Sequence, residues 1–202
     1  MQQAASPTPV LNLIYELESP TSTASYDTGL KLFETRQSFT ILCEATFANR
    51  SWNNNQTIFG VTTAWRFRIG RCTGGYPVAD NVIDTTSTNY YTGFAMNEAD
   101  GSSSKKRMGS VFARFSTTAS ATKRMAVRFD HTTRRVEANS NNGSTTVAPS
   151  NRWWIFDSNF PVISDTIKFN MGSAGSTVNI FKVYDGVMTD AQINDFLNGV
   201  TD

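Results

Sequence analysis

The stretch S-T-V-N-I-F-K-V-Y-D-G-V-M-T-D-A-Q-I-N-D-F-L-N-G-V, residues 176–200, holds a strand, a turn and a helix in immediate succession. Val178 to Tyr184 is a β-branched and aromatic run that ends at Asp185-Gly186, the pattern of a strand entering a turn. The helix that follows has both ends marked. Thr189 suits an N-cap, and Gln192 stands three residues on, where each side chain can satisfy an orphan amide of the other. Asp190 puts a negative charge in the first turn, which the helix dipole favours. Ile193, Phe196 and Leu197 fall on one face, and Gly199 suits the left-handed residue past the end. So short a helix is marginal alone, so its apolar face requires a larger body to dock on. That body is expected to be β.

The rest of the chain supplies it. At 202 residues the length fits one sandwich domain, since such domains run undivided to roughly 200–250 residues. Fourteen Phe, six Tyr and four Trp are enough to fill a core. Residues 1–10 are polar and Pro-containing and read as an N-terminal arm, flexible or docked on a partner, ahead of a single domain over 11–202. Leu11 to Leu17 predicts a first strand with Leu11, Leu13, Tyr15 and Leu17 on one face. A second strand is expected from Tyr26. In Ser38 to Phe47, residues Phe39, Ile41, Cys43, Ala45 and Phe47 alternate as a half-buried strand requires. Thr57–Val61 and Ala64–Ile69 read as a strand pair. Alternation returns at Ser110–Ser116 and at Lys123–Asp130, where Met125, Val127 and Phe129 are inward and Arg124 and Arg128 outward. Asp130-His131-Thr132-Thr133 is a turn, and Arg134–Ala138 returns antiparallel. Arg152–Phe156 and Thr166–Phe169 complete roughly a dozen strands. The expected fold is all-β, a two-sheet antiparallel jelly-roll sandwich with a short C-terminal helix.

Three phrases carry a family resemblance. They are I-F-K-V-Y-D-G with T-D-A-Q-I (180–186 and 189–193), D-T-G-L-K-L-F-E-T-R-Q-S-F-T-I (27–41), and V-R-F-D-H-T-T-R-R-V-E-A-N-S-N-N-G (127–143). Together they resemble laminin G-like domains of the concanavalin A-like lectin/glucanase superfamily, and the second resembles such domains in bacteriophage virion proteins. The resemblance spans nearly the whole chain. It implies the jelly roll, with a central hairpin of strand, D-x-x-T turn and strand. It implies little about function, since this fold hosts lectins, enzymes, adhesion modules and virion proteins alike.

From Gly70 to Arg107 the periodicity is lost, with some strand expected around Val82-Ile83 and Tyr90–Ala95. Long irregular segments are commonly functional. Tyr76, Tyr90 and Tyr91 with Asp80, Asn97 and Asp100 supply what a sugar site needs, an aromatic face and a few amide or carboxylate partners. The alternative is that these tyrosines pack the segment onto a sheet. Trp52 is either a loop anchor or a contact residue. Asp80, Asp84 and Asp100 are the acids available for calcium, but their spacing matches no loop motif, and no cofactor is expected.

Other chemistry is poorly served. The single histidine, His131, sits in a turn and is expected to be exposed, and two cysteines with one histidine do not make a zinc set. The glucanase pattern E-x-D-x-x-E has its nearest counterpart in Glu98-Ala99-Asp100, which lacks the second Glu. No enzymatic activity is expected. Cys43 reads as a small buried hydrophobe, with a Cys43–Cys72 bridge as the alternative. Eighteen basic against seventeen acidic residues argue against nucleic acid as a partner. No apolar run is long enough to span a bilayer. Arg66, Arg68, Arg114, Arg124, Arg128, Arg134 and Arg135 lie on polar strand faces, where pairing with cross-strand acids is the common outcome and a basic stripe the other.

These readings lead to a non-enzymatic recognition, adhesion or decoration module. The absence of an export signal and the D-T-G-L-K resemblance favour a phage virion surface protein, docked to other virion proteins or to its own copies and presenting loops to cell-surface glycans. The alternatives are a purely structural virion protein without sugar binding, and an extracellular carbohydrate-binding domain of a larger secreted protein.

Overall fold

The computed structural model describes residues 10–18, 20, 26–32, 34–35, 37–47, 57–62, 65–71, 76–79, 82–84, 90–97, 108–114, 121–140, 152–155, 166–169 and 177–200. Strand β1 (Leu13–Glu16), β14 (Thr177–Asp185), β3 (Phe39–Phe47), β10 (Ala121–Asp130), β11 (Arg135–Ser140) and β12 (Arg152–Ile155) form one sheet in that order. A second sheet runs β2 (Tyr26–Asp27), β13 (Lys168–Phe169), β4 (Thr57–Thr62), β5 (Trp65–Arg71), β8 (Tyr90–Asn97) and β9 (Met108–Arg114). Strands β6 (Tyr76–Ala79) and β7 (Val82–Asp84) form a separate hairpin. Every pairing is antiparallel. The sheets meet where β9 approaches β11 and β12 and β8 approaches β11. The expected all-β sandwich with a C-terminal helix is the architecture found.

Alternation makes the first sheet two-faced. Phe39, Ile41, Cys43 and Ala45 stand beside Met125, Val127 and Phe129 on one flank and Val178, Phe181 and Val183 on the other, all buried. Phe39 stacks on Phe129 with ring centroids 4.3 Å apart. The opposite face is also covered. Helix α1 (Asp190–Asn198) lays Ile193, Phe196 and Leu197, with Met188, against Leu42 and Ala126, and Leu11, Ile180 and Tyr184 pack around them. The helix ends are as the sequence implies: Gln192 and Thr189 form the reciprocal capping box, and Gly199 is left-handed at φ 83°.

Two bulges reset the expected faces. In β14 the register slips between Val178 and Ile180, so Asn179 and Ile180 both reach the helix-bearing face. In β1 it slips between Leu13 and Tyr15. Leu11 and Tyr15 therefore do not share a face: Leu11 joins the helix cluster, whereas Tyr15 meets the edge of Phe181 on the core side. Leu13 is left exposed. The extra residue of a bulge reverses alternation, which pattern reading cannot see.

Loop chemistry locks the connections. Asn12 bonds both carboxylate oxygens of Asp185, through its backbone amide at 2.6 Å and its side chain at 2.7 Å. Gly186 has φ 83°, and a Cβ there would lie 2.8 Å from Leu11 Cδ2, so the D-G turn requires glycine. Asp27 accepts from the Gly29 amide, and Thr28 donates to the Ile167 carbonyl, so the D-T-G phrase fixes an edge of the second sheet. That amide holds the Asp27 carboxyl below its usual pKa. In the central hairpin Asp130 accepts from the amides of Thr132 and Thr133 and from the Thr133 hydroxyl. Arg134, expected in the returning strand, is instead the last turn residue at φ 57°.

Candidate functional site

The segment that lacks periodicity in sequence holds β6, β7 and β8, and β8 lies between β5 and β9 rather than on a rim. Tyr90 and Tyr91 are adjacent in β8, and adjacent strand residues take opposite faces. Tyr90 stands opposite Arg71 and Tyr91 opposite Gly70 and Arg114, so the structure separates them. Asn97 shares the face of Tyr91 but lies at the other end of β8, about 20 Å away at a strand's rise. Tyr76 is in β6, opposite Asp84 of β7, and this hairpin approaches β9. Asp80 and Asp100 lie outside the described residues, as do Trp52, Cys72 and Glu98. Among the described residues no group of three or more metal-ligating side chains gathers.

Register divides the β5–β8–β9 ladder into two sets. One is largely apolar, with rows Trp65–Met96–Gly109, Phe67–Phe94–Val111 and Ile69–Thr92–Ala113, the types a sandwich interior takes. The other has rows Gly70–Tyr91–Arg114, Arg68–Gly93–Phe112 and Arg66–Ala95–Ser110. In β4 the residues opposite Arg68 and Arg66 are Thr57 and Gly60. Three arginines thus share a face, at register positions opposite Thr, Gly, Ala and Tyr. Of the strand arginines, these three fall at register positions of one set on this sheet. The sequence shows the arginines but not the strand order that gathers them. The spacing Arg66-x-Arg68 against Gly93-x-Ala95 was the available signal.

On the first sheet the expected pairing with cross-strand acids holds. Arg124 and Glu44 are register partners joined at 2.6 Å, and Arg124 also bonds the Phe196 carbonyl. Arg128 stands opposite Glu137 and is ion-paired with it, and it bonds the Met188 carbonyl at 2.8 Å and Asp190 at 2.8 Å. Asn139 donates to Glu137. Glu137 is fully buried, and burial raises its pKa more than Arg128 and Asn139 lower it. These groups tie α1 to β10 and β11, so the network is structural. His131 lies in its turn but is half-buried, with its backbone amide on Ser38 Oγ, not exposed as the sequence implied. Cys43 is buried and free, and burial pushes its thiol pKa up.

No family model matches the sequence and no curated protein matches it. Solved structures do match in fold. The CBM40 of the Ruminococcus gnavus IT-sialidase, bound to α2,3-sialyllactose, superposes with TM-score 0.59 at 11% identity, over 91% of this chain and 98% of that one. A leech intramolecular trans-sialidase gives TM-score 0.61 at 14% identity, but this chain, 96% covered, spans only 29% of it. The botulinum neurotoxin serotype D binding domain gives 0.58 at 10% identity, over 95% of this chain and 45% of that one. At these identities the likeness is one of fold: the chain is a β-sandwich of the lectin-like kind.

Proposed function

We propose that this protein is a non-catalytic glycan-recognition module. The observation that carries the reading is the match, nearly end to end on both sides, with a carbohydrate-binding module that was solved holding a sialylated sugar. Another neighbour is botulinum neurotoxin type C, whose cell entry depends on interaction with two ganglioside molecules. The second sheet adds the chemistry: Tyr91 falls in one register set with Gly70, Gly93 and Ala95, an aromatic position beside small residues.

The D-T-G-L-K phrase and its laminin G-like resemblance support display on a phage virion, docked through residues 1–10. An array of mammalian and bacterial glycans probed with the intact protein tests recognition. Retention of a defined glycan subset, lost in Tyr91→Ala, is the expected result. No retention by the folded protein would leave a structural decoration role. Mass spectrometry of purified phage particles tests the virion placement.

A further inference from the structure

We infer that the β5–β8–β9 face bearing Arg66, Arg68 and Arg114 is the binding site, and that it selects glycans carrying an anionic group. This rests on the glycan-recognition reading and names its ligand class. The chain as a whole is nearly neutral, at formal charge +1, so three arginines on one small face are not a by-product of a basic composition. The two sheets treat their arginines differently. On the first, Arg124 and Arg128 stand in register with Glu44 and Glu137. On the second, the register neighbours of Arg66, Arg68 and Arg114 are Thr57, Gly60, Gly93, Ala95 and Tyr91, none of them acidic.

The layout suits a ring-shaped ligand. Arg68 and Arg114 stand two strands and two residues apart, about 12 Å at the usual spacings, and Gly93 and Gly70 occupy the positions between and beside them. Glycine at a strand interior marks a place where another group comes close to the backbone. Tyr91 stands at the register position opposite Gly70 and two residues from Gly93, which places an aromatic, two glycines and arginine positions in one set. A planar guanidinium recognises carboxylate or sulfate through paired hydrogen bonds, which a neutral sugar cannot return.

The test is calorimetric titration of the full chain with 3′-sialyllactose, 3′-sulfolactose and lactose. At least one anionic sugar is expected to bind ten-fold or more tighter than lactose, and the first two arms distinguish carboxylate from sulfate. That affinity falls as salt is raised, a readout that needs no variant. Arg68→Gln and Arg114→Gln each weaken it ten-fold or more, whereas Arg71→Gln, in the opposite register set, leaves it unchanged. Gly93→Leu abolishes binding while thermal unfolding stays cooperative. Equal affinity for lactose, salt-independent binding, or folded Arg68 and Arg114 variants that bind normally would overturn the inference and leave glycan recognition standing. An array on which the intact protein retains no glycan overturns both.

Discussion

Glu137 is a carboxylate with no exposure, and its charge is tolerated because Arg128 and Asn139 reach it within the sheet. Removing one partner of such a pair strands the other. Arg128→Met is therefore expected to destabilise the fold by about 3–5 kcal/mol, while Arg128→Met with Glu137→Leu recovers most of that loss. Urea midpoints of the two variants decide it, and equal midpoints would refute the pairing. The pH dependence has a definite sign. Burial raises the folded-state pKa of Glu137, so the folded protein holds that proton more tightly than the unfolded chain does. Its contribution is complete below the ordinary glutamate value of about 4.3 and is lost as pH rises through the elevated folded value. Glu137→Gln should flatten stability over that window, seen as a smaller fall in urea midpoint from about pH 4 upward.

Helix α1 depends on its caps and on one face. Thr189→Ala removes half of the capping box and should cost about 1 kcal/mol. Gly199→Ala meets two obstacles. Its φ of 83° is costly for any side chain, by about 1–2 kcal/mol. A Cβ there would also lie 2.5 Å from Arg124 Nη1, the atom that bonds the Phe196 carbonyl. Thermal unfolding reads both changes, at about 2–4 °C per kcal/mol for a chain of this size, and Gly199→Ala is expected to be the larger. The helix was legible in sequence to the residue, because capping chemistry is local and leaves its signature at fixed spacing. The bulges in β1 and β14 were not. Leu11 and Tyr15 read as one face, and nothing in their own segment reveals the slip that sends them to opposite faces.

In the whole molecule, legibility follows sequence separation. Strands with clean alternation, such as Phe39–Phe47 and Ala121–Asp130, fixed the core, because burial of one face is written into every second residue. Strand order was hidden, so Tyr90 and Tyr91 read as parts of one aromatic face, and for Arg66, Arg68 and Arg114 both cross-strand pairing and a stripe stayed open. Only the ladder β5–β8–β9 divides the first and gathers the second. The same long-range logic makes the C-terminal helix integral to the sandwich. Met188, Ile193, Phe196 and Leu197 are all nearly fully buried, and each contributes about 1.5–3 kcal/mol on burial. Their sum, about 6–12 kcal/mol, matches the whole stability of an ordinary domain. Deleting residues 187–202 would also bare Leu42 and Ala126 and take Asp190 and the Met188 carbonyl from Arg128. The chain ending at Gly186 is therefore expected to lose cooperative unfolding and near-ultraviolet dichroism and to bind a hydrophobic dye. A sharp thermal transition in that truncated chain would show that the first sheet holds its core without the helix.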